Sequence, residues 1–211
     1  MKIDHHIHTA RHSPDSAIHP EELVRHACEI GLDGIVITEH DYQWKPDELA
    51  ELAAQAPGLS VFSGAEISAR EGHFLVYGLP SLAEAPSGIL LRDLLEVVRR
   101  HDAAIVAAHP FRWEQPFDQL IALHGPVFDA LELVSNNIYP DTRRKTQGLL
   151  NQYPMGATGS SDAHAIDVVG CYFSKFPGRI ESIAEFAAAL RNHHSRPGNR
   201  SGVYLSSGPA D

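Results

Sequence analysis

Two histidines two residues apart, His6 and His8, stand near the start of the chain. An aspartate and a histidine with the same spacing, Asp162 and His164, stand near its end. Imidazole nitrogen and carboxylate oxygen are ligands for divalent metals. On a β-strand, residues i and i+2 project to the same face, so each pair can grip an ion from one strand. The pairs lie far apart in sequence. They serve one site only if the fold brings the chain's ends together, as a closed barrel does.

Similar residue types recur between them. Loop 10–17 carries His12 and Asp15; Asp15 is the preferred ligand from this loop and His12 the alternative. Thr38-Glu39-His40-Asp41 ends an apolar run, and neighbours on a strand face opposite ways. His40 is expected as the ligand, with Glu39 as the carboxylate that accepts its second N–H. Glu66 follows Gly64 and suits a bridging carboxylate, His109 closes the run 105–108, and His73 begins a run. His5 faces away from His6 and His8 and reads as a hydrogen-bonded core residue. The nine candidates are His6, His8, Asp15, His40, Glu66, His73, His109, Asp162 and His164, with no thiolate among them. That set exceeds the needs of one ion and suits two or three of Zn²⁺, Mn²⁺ or Fe²⁺.

The elements that would position these residues alternate. Strands are expected at 2–6, 34–38, 60–67, 73–78, 104–109, 130–135 and 155–160. A helix is expected from Pro20 to just before Gly31, with others at 47–56, around Leu91, Leu94, Leu95 and Val98, at 141–152 and at 181–191. The link between the strands at 60–67 and 73–78 is too short for a helix. Strand–helix alternation implies parallel strands. Ligand-type residues at the C-terminal ends of most runs favour an α/β barrel over an open sheet, where the site gathers at a switch point. Residues 1–192 read as one barrel domain and 193–211 as a loosely ordered tail in which Val203-Tyr204-Leu205 could dock.

Composition narrows the partners. The chain has 211 residues and a net charge of −10, and no basic run exceeds Arg143-Arg144-Lys145. That argues against a protein that coats duplex nucleic acid. Cys28 and Cys171 are expected as buried free thiols. No apolar run approaches the roughly 20 residues that span a bilayer, and no signal-like segment precedes Met1-Lys2-Ile3, so no membrane partner and a cytoplasmic setting are expected.

Taken in order, Asp4-His5-His6-Ile7-His8-Thr9, Thr38-Glu39-His40, Gly64-Ala65-Glu66, His73, His109-Pro110 and Ser161-Asp162-Ala163-His164 resemble the successive motifs of the PHP (polymerase and histidinol phosphatase) superfamily. The resemblance runs from about residue 2 to 165. It implies a distorted (β/α)7 barrel, a di- or trinuclear metal centre and phosphoesterase activity. Carried over by position, it implies His6, His8, Glu66 and Asp162 on one ion, Asp15, His40 and His164 on a second, and Glu66, His73 and His109 on a third. The sequence departs from the pattern at Glu39, where the superfamily usually has Asp, and at His5, where it usually has Leu.

The implied reaction is hydrolysis of a phosphate ester by a metal-activated water. Arg112, two residues past Pro110, is the best-placed cation for the phosphate, ahead of Arg11, Arg143 and Arg144, and His12 is a candidate proton donor to the leaving group. A small phosphomonoester or a nucleotide is the first substrate choice. Rivals are a phosphodiesterase or nuclease acting on oligonucleotide ends, and a non-catalytic metal-binding protein. A C–N hydrolase is less favoured, because no Lys stands at a strand end to bridge metals. Tyr42, Trp44, Trp113 and Tyr139 fall in the expected loops, to stack on a base or to cap the barrel.

Overall fold

The apolar runs do become strands, although they are distributed differently from the expectation. The computed structural model describes residues 1–200. Its strands are β1 (Lys2–Asp4), β2 (Gly34–Ile37), β3 (Ser60–Ser63), β4 (Ala65–Ala69), β5 (Gly72–Tyr77), β6 (Ala104–Ala107), β7 (Ala130–Val134), β8 (Gly156–Gly159), β9 (Tyr172–Lys175) and β10 (Arg196–Asn199). They form two five-stranded sheets, β10-β9-β1-β2-β3 and β4-β5-β6-β7-β8. The expected closed barrel of seven parallel strands is therefore not what these sheets form. Only β1–β2–β3 and β6–β7–β8 run parallel; β5 is antiparallel to both neighbours and β9 to both of its own.

Connection lengths explain the departures. The expected strand 60–67 breaks at Gly64, where an added Cβ would lie 2.7 Å from the ring of Tyr77. The chain bends there from one sheet into the other. Two residues then link β4 to β5, which allows only an antiparallel return. After β8 the chain makes a single 3₁₀ turn, Ile166–Val168, and enters the other sheet as β9, antiparallel to β1. Within the expected tail, Arg196–Asn199 pairs with β9 as β10. Val203-Tyr204-Leu205 lies outside the described residues.

The two sheets meet at the end that carries the ligand candidates. Ile7 bridges Ala163 and His40 bridges Glu66, both in parallel. His8 N donates to Ala163 O at 3.0 Å, and Glu66 N to Glu39 O at 3.0 Å. These seams bring the first and last motifs together.

Helices α1 (Pro20–Glu29), α2 (Pro46–Ala53), α3 (Leu91–Arg100), α5 (Pro140–Gln152) and α6 (Ile183–Arg191) match the expected set, and α4 (Phe117–His124) is an addition. Proline opens α1, α2 and α5, where its missing N–H costs nothing. Leu91, Leu94, Leu95 and Val98 of α3 are buried and share a cluster with Phe74, Val76 and Ile105. Cys171 is buried as expected, but Cys28 is exposed, because α1 buries Leu23, Val24 and Ala27 instead. Among the described residues, no helix is long and apolar enough to cross a membrane.

Candidate metal centre

The six histidines among the nine ligand candidates converge on two of the three carboxylates, Glu66 and Asp162. Glu66, on β4, is almost completely buried, with five imidazoles around it. Its Oε2 lies 3.0 Å from His40 Nδ1, 3.3 Å from His8 Nε2 and 3.4 Å from His6 Nε2. Its Oε1 lies 3.0 Å from His73 Nδ1 and 3.2 Å from His109 Nε2. Asp162 Oδ1 stands 3.2 Å from His6 Nε2 and 3.6 Å from His8 Nε2. Its Oδ2 accepts from Asn137 Nδ2 at 2.7 Å and Arg112 Nη1 at 3.3 Å. Asp15 comes in from the first loop, its Oδ2 3.1 Å from His40 Nε2 and 3.2 Å from His164 Nε2.

Three overlapping groups each place their ligand atoms within 4.8 Å of one another: His6, His8 and Glu66; His8, His40 and His164; Glu66, His73 and His109. A cleft of about 320 Å³ opens over them, lined also by Ser68, Arg112 and Trp113. His109 (φ 29°) and Asp162 (φ 53°) hold left-handed backbone, which non-glycine residues adopt at a cost and which recurs at functional sites.

Charge in the cluster is mutually supported. Burial alone would raise the Glu66 carboxyl, but His6, His109 and His40 hold it well below its ordinary value. Burial alone would likewise lower His6, and Asp162, Glu132 and Glu66 hold it well above. His40 sits at about 9: burial opposes that rise, and Glu66 and Asp15 outweigh it. His164 is lowered by burial and by neighbouring His8. His6 Nε2 and His8 Nε2 are buried with no hydrogen-bond partner among the described residues. Buried polar atoms of that kind are costly unless something else meets them. Two imidazole nitrogens facing two carboxylates form a donor set that fits a divalent cation.

Other residues hold the cluster in place, and several were not singled out from the sequence. Glu132, fully buried on β7, accepts from His6 Nδ1 at 3.1 Å, from Ser160 Oγ, and from His109 N at 2.8 Å. Its signal was an acid in the middle of the apolar run Ala130–Val134. Asp4 accepts from Ser161 N at 2.9 Å and Gly170 N at 2.8 Å, tying the first motif to the last, and burial raises its carboxyl to about 6.

Two expected roles, those of Glu39 and His12, look different in the structure. Glu39 does not support His40; it accepts from Thr9 N, Thr9 Oγ1, Ser13 Oγ and Trp44 Nε1. The larger effect is on the loop that carries Asp15, because Ser13 Oγ also accepts from His40 N at 3.3 Å. His12 stacks on Tyr42 with ring centroids 4.0 Å apart and meets Trp44 edge-on, away from the cleft lining. His5 faces the core as expected, against Tyr77 and Ser174. Arg112 does line the cleft, lying over the exposed ring of Trp113 at 4.2 Å.

Known proteins share these features in part. A family model described as PHP-associated matches residues 140–194. The chain is 43% identical over 63 residues to an error-prone DNA polymerase of Cutibacterium acnes, a stretch covering 30% of this chain and 6% of the polymerase. It is 28% identical over 120 residues to an uncharacterised protein of Methanocaldococcus jannaschii, covering 53% of this chain and 68% of that protein.

Among solved structures, a two-domain protein of Bacteroides vulgatus, said to contain a predicted PHP-like metal-dependent phosphoesterase, superposes with a TM-score of 0.73 at 20% identity, covering 94% of this chain and 64% of that one. The lesion-specific endonuclease EndoQ of Pyrococcus furiosus superposes with a TM-score of 0.63 at 17% identity, covering 91% of this chain and 56% of the endonuclease. The chain thus spans well under a tenth of the polymerase and less than two thirds of either structural relative. The fold is the one seen in PHP-like proteins, and the resemblance read from the motifs is borne out.

Proposed function

We propose that this protein is a metal-dependent hydrolase of phosphate esters, acting on a small phosphomonoester or a nucleotide. The observation that carries the reading is Glu66: one buried carboxylate shared by five imidazoles, two of which, His6 and His8, face Asp162 as well with buried nitrogens that have no hydrogen-bond partner among the described residues. Two or three ions of Zn²⁺, Mn²⁺ or Fe²⁺ fit the donor set. His6, His8, Glu66 and Asp162 would hold one, Asp15, His40 and His164 a second, and Glu66, His73 and His109 a third. The two seam bridges would make the rim of the sheets act as a distorted (β/α)7 barrel mouth.

When bound, the ions would supply Lewis-acid stabilisation of phosphoryl oxygens and lower the pKa of a water. The chain's own residues do the rest. Asn137 and Arg112 occupy Asp162 Oδ2, which turns Oδ1 into the cluster. Arg112 spends one Nη on Asp162 and keeps further guanidinium donors at the cleft for phosphoryl oxygens. The exposed Trp113 ring gives the cleft an apolar wall for the leaving group.

A second reading, a phosphodiesterase or nuclease, is favoured by the endonuclease among the structural relatives and by the polymerase match. One experiment tests both. The purified protein should hydrolyse p-nitrophenyl phosphate with Mn²⁺ or Zn²⁺, and Asp162→Ala should abolish the reaction. Preference for bis-p-nitrophenyl phosphate would shift the assignment to a diesterase. Unchanged activity in Asp162→Ala would refute the site.

A further inference from the structure

We propose that Glu132 is a positioning residue that braces two metal positions at once; this rests on the metal-centre reading above. Its carboxylate faces both sides of the cluster floor. Oε1 accepts from His6 Nδ1 at 3.1 Å, which leaves Nε2, the atom 3.2 Å from Asp162 and 3.4 Å from Glu66, as the free lone pair. Oε2 accepts from the backbone N of His109 at 2.8 Å. That N–H belongs to a residue held at φ 29°, so the bond supports the strained turn that aims His109 Nε2 at Glu66 Oε1, 3.2 Å away. His6 serves the group with His8 and Glu66, and His109 the group with Glu66 and His73. Glu66 meets both residues at their Nε2 atoms, and Glu132 holds them from the other side, through His6 Nδ1 and the His109 backbone.

The geometry also indicates why a carboxylate stands here. Three donors reach it: an imidazole N–H, a backbone N–H and the Ser160 hydroxyl. An amide offers one acceptor oxygen and two unwanted donors. Glutamine therefore keeps the volume and loses one of the two braces, leaving a buried donor unmet or His6 in the other tautomer. Carboxylate partners of metal-bound imidazoles typically set metal affinity by 10–100-fold. At Glu132 that loss should fall on two positions together, while the group built on Asp15, His40 and His164, which Glu132 does not touch, keeps its ion.

The test is Zn²⁺ titration of the metal-free full chain against a chromogenic chelator, with bound metal counted by mass spectrometry and the melting temperature read in the absence of metal. Tyr77→Phe serves as the control, because among the described residues its buried hydroxyl bonds His5 alone. Glu132→Gln should bind its tightest ions about 10–100-fold more weakly and retain fewer ions after dialysis. Tyr77→Phe should lower the melting temperature and leave zinc affinity within about threefold, less than a typical ligand-brace effect. If Glu132→Gln does not fold, Glu132→Asp carries the test: one methylene shorter, it cannot span His6 and His109, and it should show the same loss. Zinc affinity near the wild-type value in the folded Glu132 variant, or an equal loss in Tyr77→Phe, would overturn the proposal alone. A wild-type protein that binds no zinc would overturn the metal-centre reading and the proposal with it.

Discussion

The cluster's floor and its rim differ in how they meet water. His6, His8, Glu66, His109 and Asp162 have side chains 0–5% exposed, whereas those of Asp15, His40, His73 and His164 are 26–54% exposed. The floor residues sit at or next to strand ends and seam bridges, so main-chain hydrogen bonds fix them before any ion arrives. Of the rim, Asp15 comes from a loop, which Glu39 holds through Thr9 and Ser13, while His40 lies at a seam bridge and His73 on β5. An unmet nitrogen in the floor is costly, while one at the rim can turn to solvent. The floor should therefore bind its ions tightly and the rim should exchange its ion.

Asp15→Ala sharpens this contrast most. It should remove one exchangeable ion, leave the remaining metal bound through dialysis, and lower phosphatase activity roughly ten- to a hundredfold, about 1.4–2.7 kcal/mol of transition-state stabilisation. Complete loss of activity, equal to that expected for Asp162→Ala, would mean that floor and rim act as one indivisible centre. Metal counting alongside the kinetics separates the two outcomes.

The same contrast accounts for what could be read from the residues. His6 with His8 and Asp162 with His164 were legible because i, i+2 spacing is a local property that survives whatever the strand pairs with. Glu66 was legible from its place after Gly64. Glu132 was not, because its role depends on His6 and His109, which follow the ends of two other strands, and its own neighbours Leu131 and Leu133 suggest only a buried strand. Glu39 was assigned to the adjacent His40, but its partners are Thr9, Ser13 and Trp44, a contact pattern set by the folded loop. The strands were largely found. Their direction was not, because it is decided by connections such as the two-residue turn between β4 and β5 and by long-range pairing such as that of β9 with β1. Helix α4 buries only Phe117 and Ile121, too short a period to stand out.

Removing the metal should make the cluster's charge visible as pH dependence. His6 stands well above its ordinary value and His40 at about 9, both held there by carboxylates. A histidine whose folded value is raised contributes stability that is complete below about 6.5 and is lost as pH climbs through the folded value. With a chelator present, the melting temperature should therefore fall between pH 6.5 and 9.5. His40 is partly exposed, and screening reduces its share to about 1–2 kcal/mol. Saturating Zn²⁺ should remove or reverse the slope, because ligand imidazoles must be neutral. A metal-free protein whose melting temperature is flat or rising over that window would show that rim and floor carboxylates do not hold these histidines.

The smallest effect is expected at His12, which shares the first loop with Asp15 but points elsewhere. Its ring stacks on Tyr42 and abuts Trp44, and Trp44 donates to Glu39, so His12 packs behind the loop that Glu39 anchors. His12→Ala should cost about 1 kcal/mol of stability through lost ring packing. Metal content should be unchanged and activity should stay within about threefold, less than 1 kcal/mol. A proton donor to the leaving group would behave otherwise: its loss would cut activity more than tenfold at constant metal content and spare substrates with acidic leaving groups. Comparing p-nitrophenyl phosphate with an alkyl phosphate in His12→Ala separates these cases, since only a missing donor would slow the alkyl ester selectively. A selective loss would move His12 from the packing behind the loop to the chemistry in front of it, and would mean that the loop turns over when substrate binds.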